Sequence, residues 1–186
     1  MRIVSGFLKG RRINPPARIK ARPTTDIAKE ALFNILENRL DLDGLIAYDF
    51  FSGTGNITFE LISRGVAMVY SIDISPDSGE LIRKLATEFG VADKVKFVRA
   101  DVWRLAKNLS VKADLIFADP PFTLKEYAKL HELVFSNALL NPGGLLVIEH
   151  PEKVDFSGFH GFEYTKTYGN VNFSFFCPTG NLTVVK

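Results

Sequence analysis

The chain has 186 residues, 46% of them hydrophobic and 24% charged, with nine prolines, 14 glycines and one cysteine. That length fits one domain with a real core and the composition excludes a disordered or collagen-like chain, while a lone Cys177 excludes a disulfide framework. The net charge of +2 conceals a polarised molecule: residues 1–22 carry seven basic side chains and no acid, whereas the remaining 164 residues carry 16 basic and 21 acidic groups, an asymmetry that points to nucleic acid or another anionic surface.

The basic arm is not of low complexity. Arg2-Ile3-Val4 and Arg11-Arg12-Ile13 read as two short strands around a glycine-bounded turn, with Asn14-Pro15-Pro16-Ala17 as an extended linker. A helix follows from Thr25, which can cap it, and Asp26, with Ile27, Ala31, Phe33, Ile35 and Leu36 as its apolar face. Short apolar strands then alternate with helices. The strands are Leu45–Phe51, Ala67–Asp73, Val95–Val98, Asp114–Ala118 and, after the turn Asn141-Pro142-Gly143-Gly144, Leu145–Glu149. The helices are Gly55–Arg64, Pro76–Phe89, Val102 to about Lys107, and Leu124–Asn137. This alternation predicts a Rossmann-like, doubly wound α/β sheet, mostly parallel. Phe162–Tyr168 and Val171–Cys177 lie too close for a crossover helix and predict a C-terminal antiparallel hairpin. No apolar run approaches the roughly 18 residues of a membrane span, and the first six residues lack a signal-peptide core. The expectation is a cytoplasmic protein with no membrane partner.

In such sheets ligands bind at the carboxyl ends of the strands. The first strand ends in Asp49-Phe50-Phe51-Ser52-Gly53-Thr54-Gly55, a turn that lets a ligand approach backbone N–H groups. A dinucleotide fingerprint would require glycine at position 58, where Thr58 stands, and no phosphate-loop lysine follows. Asp49 suits a cation such as an α-amino group. Asp73 ends the second strand, where an acid can accept both hydroxyls of a ribose. Asp101 follows the third, where its carboxylate and the N–H of Val102 match the edge of an adenine. The fourth strand ends in Asp119-Pro120-Pro121-Phe122. The prolines fix an extended backbone, so that the Asp119 carboxylate and the Pro120 carbonyl can converge on one amino group, with Phe122 as a stacking face for a planar base. Trp103 could wall an adenine pocket or simply pack in the core. His131, His150 and His160 are not spaced as a metal site, and no metal is expected. Cys177 reads as a small buried hydrophobe.

Asp49 to Gly55 resembles motif I of class I S-adenosylmethionine-dependent methyltransferases, and Asp119-Pro120-Pro121-Phe122 resembles the (D/N)PP(F/Y/W) motif of those that methylate exocyclic amines. Arg2-Ile3-Val4-Ser5-Gly6, Lys9-Gly10-Arg11, Arg22-Pro23-Thr24-Thr25-Asp26 and Glu30-Ala31-Leu32-Phe33-Asn34 narrow the resemblance to the RsmD family of bacterial 16S rRNA (guanine-N2)-methyltransferases, across essentially the whole chain. One departure is Ser75, where the family pattern has a second acid after Asp73.

The resemblance implies S-adenosylmethionine as cofactor and 16S rRNA as partner, within an assembling small ribosomal subunit. It assigns Asp119, Pro120 and Phe122 to catalysis. Asp49, Ser52, Gly53, Thr54, Gly55, Asp73, Asp101 and Val102, with Thr24 and Thr25 at the mouth, would hold the cofactor. Arg2, Lys9, Arg11, Arg12, Arg22 and Pro121 would meet RNA. The chain accordingly divides into a basic hairpin and linker at 1–22 and a methyltransferase domain at 23–186. Two alternatives stay open: methylation of an amino group in DNA or another RNA, and a non-catalytic RNA-binding assembly protein on the same fold.

Overall fold

The computed structural model describes residues 1–19, 25–121 and 127–178. Seven strands, β1 (Ile46–Phe50), β2 (Met68–Asp73), β3 (Val95–Arg99), β4 (Ala113–Ala118), β5 (Leu140–His150), β6 (Phe162–Tyr168) and β7 (Val171–Phe176), form one sheet in the order β3-β2-β1-β4-β5-β7-β6. The first five pair in parallel, and β7 runs antiparallel to both β5 and β6. The strand order reverses between β1 and β4, which places the ligand crevice beyond their carboxyl ends.

Helices cover both faces. One core cluster gathers α1 (Asp26–Arg39), α2 (Asn56–Ser63), α3 (Pro76–Glu88) and the N-terminal arm. The other gathers α4 (Val102–Leu105), a 3-10 turn at Ala106–Asn108 and α5 (Tyr127–Ser136). Three helices begin on side-chain caps: Thr25 on Ala28, Ser75 on Ser78 and Asp101 on Trp103.

Three expectations need correction. The buried face of α1 is Ala28, Lys29, Leu32, Phe33 and Leu36, and Ile27 is 78% exposed. A charge cancelled by a distant partner let Lys29 join the core stripe in place of Ile27. β5 continues through Asn141-Pro142-Gly143-Gly144 instead of starting after a turn there. Gly143 takes a left-handed φ of 79°, the Asn141 amide donates to Asp114 at 2.7 Å, and the pairing register shifts between Ala113 and Leu115, so the segment is a bulge within the strand. Finally, the arm forms the expected hairpin in its shortest form, one antiparallel bridge from Arg2 to Arg12 in place of two full strands, with Ile3 donating its N–H to the Arg11 carbonyl at 2.9 Å and Ile13 to the Met1 carbonyl at 3.0 Å. Docking adds to its order: Ile3, Leu8 and Ile13 are buried at 1%, 4% and 0% exposure.

Every residue of α2 is buried, which requires cover on the side away from the sheet. The arm lies there. Val4 and Ser5 donate their N–H groups to the Glu60 carboxylate at 2.8 and 3.0 Å, and Phe7 donates to the Ser63 carbonyl at 2.9 Å. Since α2 starts next to the crevice, the Gly6–Gly10 turn lies about 12 Å away at its other end. Among the described residues of the arm, Met1, Arg18 and Ile19 reach the crevice.

Candidate active site

Four strand ends open into one cavity of about 620 Å³, a volume suited to a nucleoside-sized ligand. Asp49, Ser52, Gly53 and Thr54 line it from β1, Asp73 from β2, Asp101 and Val102 from β3, and Asp119, Pro120 and Pro121 from β4. Ten of the residues expected from sequence therefore share one space. Thr25 and Gly55 are not in its wall. Thr25 caps α1 by accepting from the Ala28 N–H. Gly55 caps α2 at φ 75°, where an added Cβ would come within 2.9 Å of Ile82 and 3.1 Å of Phe59. Thr24, Arg22 and Phe122 lie outside the described residues.

The loop after β1 is held from two sides. Phe51 adopts a left-handed φ of 62°, an uncommon conformation for an aromatic residue, and Gly53 donates its N–H to Asp73 at 2.8 Å. The other Asp73 oxygen accepts from Ser75 N–H at 2.8 Å. The expected ribose acceptor is thus also the residue that fastens the glycine loop to β2, and a carboxylate oxygen retains further acceptor capacity for a ligand. Asp101 likewise accepts from Trp103 N–H at 2.8 Å. The Ser52 hydroxyl is buried and has no hydrogen-bond partner among the described residues. Such a group in a cavity wall fits a polar ligand.

Asp49 is buried, and the Thr58 hydroxyl donates to it at 2.5 Å while standing 3.0 Å from the Ser71 hydroxyl. Burial pushes the Asp49 carboxyl up to about 7, against the lowering effect of Thr58 and with the charges of Asp119 and Asp73 adding to the rise. Burial pushes Asp119 up to about 7 as well. Two carboxyls poised near neutrality in one cavity would be stabilised as anions by a cationic ligand. Thr58 is the residue that the sequence presented only as a missing glycine.

Other lining residues were not among those expected to hold the cofactor: Met1, Arg18 and Ile19 from the arm, Asn56 from α2, and Ser75 and Ser78 around the start of α3. Trp103 lines the cavity too, with its ring centroid 6.2 Å from that of Phe51. Arg18, counted among the arm's charges, is bound by Asp77 and Glu80 at 2.8 Å each. Arg2 pairs with Asp26 at 2.8 Å, and the Arg11 guanidinium sits 5.8 Å from the Phe89 ring centroid. His131 contacts the His160 carbonyl at 2.8 Å and stacks on Phe135. His150 lies between the Pro151 carbonyl and the Ser174 hydroxyl. Among the described residues, no group of three or more His, Cys, Asp or Glu could hold a metal, and no helix is long and apolar enough to cross a membrane.

Residues 1–177 match the family model described as Conserved hypothetical protein 95. The ribosomal RNA small subunit methyltransferase D of Escherichia coli is 30% identical over 151 residues, which cover 80% of this chain and 74% of that protein. The protein of the same name from Haemophilus influenzae is 27% identical, covering 80% of this chain and 78% of its own length. Among solved structures, a hypothetical protein of Thermus thermophilus superposes with a TM-score of 0.81 at 23% identity, over 95% of this chain and 99% of that one. An RNA methyltransferase from Salinibacter ruber, in complex with S-adenosyl-L-homocysteine, gives a TM-score of 0.66 at 21% identity, over 89% and 100% of the two chains. At these identities the structural likeness establishes a shared fold.

Proposed function

The chain belongs to the Conserved hypothetical protein 95 family, which is the RsmD family, and from that membership we propose that it transfers a methyl group from S-adenosylmethionine to the exocyclic N2 of a guanine in 16S rRNA of the small ribosomal subunit. The observation that carries this reading is the meeting of Asp119-Pro120-Pro121 with Asp49, the Ser52–Thr54 loop, Asp73 and Asp101 in one cavity. The residues suit the cofactor: Asp49 for an ammonium, Asp73 for a ribose, Asp101 and Val102 for an adenine edge, and Ser52 as an unpaired hydroxyl.

When bound, S-adenosylmethionine supplies a methyl carbon made electrophilic by its sulfonium. An exocyclic amine is a poor nucleophile because its lone pair is delocalised into the ring. Asp119 and the Pro120 carbonyl accept its two hydrogens, so that the nitrogen rehybridises and its lone pair faces the methyl carbon. Positive charge then grows on nitrogen, and the Asp119 carboxylate stabilises it more in the transition state than in the ground state. A carboxyl near 7 is also suited to receive the proton that the methylated nitrogen sheds. Cavity walls fix the approach of the two reactants. A base in folded RNA must be splayed out to enter.

The test is incubation of the protein with small subunits or 16S rRNA and cofactor carrying a labelled methyl group. Label in the RNA is the expected result. A protein that binds the cofactor yet labels neither substrate would overturn the assignment to rRNA.

A further inference from the structure

The network around Lys29 extends beyond the cavity itself. Its side chain is fully buried at 0% exposure, and its ammonium donates to the Arg2 carbonyl at 2.6 Å and to the Asn56 side chain at 2.9 Å, while standing 3.1 Å from Glu60. An ammonium has three N–H donors, and three acceptors surround it. Glu60, also at 0% exposure, takes up the N–H groups of Val4 and Ser5. The pair therefore grips the arm's backbone at three places between residue 2 and residue 5. It also holds Asn56, the first residue of α2 and part of the cavity wall.

The gripped segment begins in the cavity. Met1 lines it, with its sulfur 3.6 Å from the Thr54 hydroxyl in the loop after β1. After the turn the arm returns, and Arg18 and Ile19 line the cavity a second time, with Arg18 fastened to Asp77 and Glu80 of α3. A buried ion pair adds little net stability over apolar residues of the same volume, but it holds its partners to one geometry when every donor is satisfied.

We infer that the N-terminal segment is a fixed wall of the cofactor cavity, and that Lys29, through Glu60, the Arg2 carbonyl and Asn56, is a positioning residue for the cofactor. This rests on the cavity being the S-adenosylmethionine site. It gives part of the arm a role distinct from RNA docking, because Lys29 is closed to solvent and acts through neighbours that reach the cavity wall.

Binding of S-adenosylhomocysteine is measured by calorimetry for the full-length parent, Lys29→Met and Arg18→Gln, beside thermal unfolding and KM for cofactor and for rRNA. Lys29→Met is expected to weaken Kd roughly two- to thirtyfold, to raise KM for cofactor alike and to leave KM for rRNA unchanged. Arg18→Gln, at a half-exposed side chain, should weaken binding severalfold. A merely structural role would lower the melting temperature of Lys29→Met and leave Kd as in the parent. Unchanged affinity in folded Lys29→Met, or in Arg18→Gln should Lys29→Met fail to fold, overturns the inference while the cofactor assignment stands. Absence of binding by the parent overturns both.

Discussion

Asp49 and Asp119 are chemically similar, and the proposed function gives them different roles. Both carboxyls are raised to about 7 by burial, so each favours the folded state fully below the ordinary carboxylate range. That contribution is lost as pH rises through about 7. Two consequences separate the residues. Cofactor affinity should rise from about pH 6 to about pH 8 as Asp49 ionises, and calorimetry at several pH values checks this, a flat profile contradicting it. Thr58→Val removes a hydrogen bond that holds Asp49 down, so the midpoint of that profile should move upward. For Asp119→Asn, methyl transfer should fall by about 10²–10³ with cofactor affinity little changed. Its melting temperature above neutral pH should not fall below that of the parent, because a buried charge has been removed. The acids at the strand ends were legible because position in an α/β sheet gives an isolated Asp its meaning. Thr58 was not, since its partner lies across the start of a helix, and Lys29 was not, because its charge is cancelled by Glu60, far along the chain.

Elements placed the site more reliably than they marked their own ends. Five apolar runs separated by helices sufficed to put Asp49, Asp73, Asp101 and Asp119 at one edge of the sheet, as observed. The bulge through Asn141–Gly144 was not legible, because Pro-Gly-Gly reads locally as a turn and only the pairing of Leu140 and Leu145 with β4 on either side encloses it within the strand. The face of α1 was misread for a related reason: periodicity alone could not tell that the arm and α2 would supply a partner for Lys29. Gly55 marks the junction on which the loop after β1 and α2 both depend. Replacing it with alanine imposes a left-handed φ worth about 1–2 kcal/mol and a contact of 2.9 Å with Ile82. Thermal unfolding of Gly55→Ala should show a loss of at least that size, with weaker cofactor binding because the loop is displaced. A variant as stable as the parent would contradict the packing described.

At the scale of the whole molecule, the polarity of the sequence divides more finely than an arm against a body. Arg2 and Arg18 are engaged by carboxylates, and residues 1–5 and 18–19 belong to the walls and fastenings of the cavity. Lys9, Arg11 and Arg12 are the described arm cations outside any ion pair among the described residues, and we propose them as the ones that meet phosphate. Three such contacts correspond to a fall of RNA affinity with log salt at a slope of roughly −2 to −3. Reversing these three charges should raise KM for rRNA and flatten that slope while cofactor Kd stays constant. Indifference of RNA methylation to the change would return these residues to plain solvated surface. The central claim, transfer to N2 of a guanine, is tested most directly by digesting the labelled 16S rRNA to nucleosides and identifying the methylated product by mass spectrometry. N2-methylguanosine at one position, abolished by Asp119→Asn, is the expected product; label recovered in methylated adenosine or cytidine, or in protein, would contradict transfer to a guanine N2.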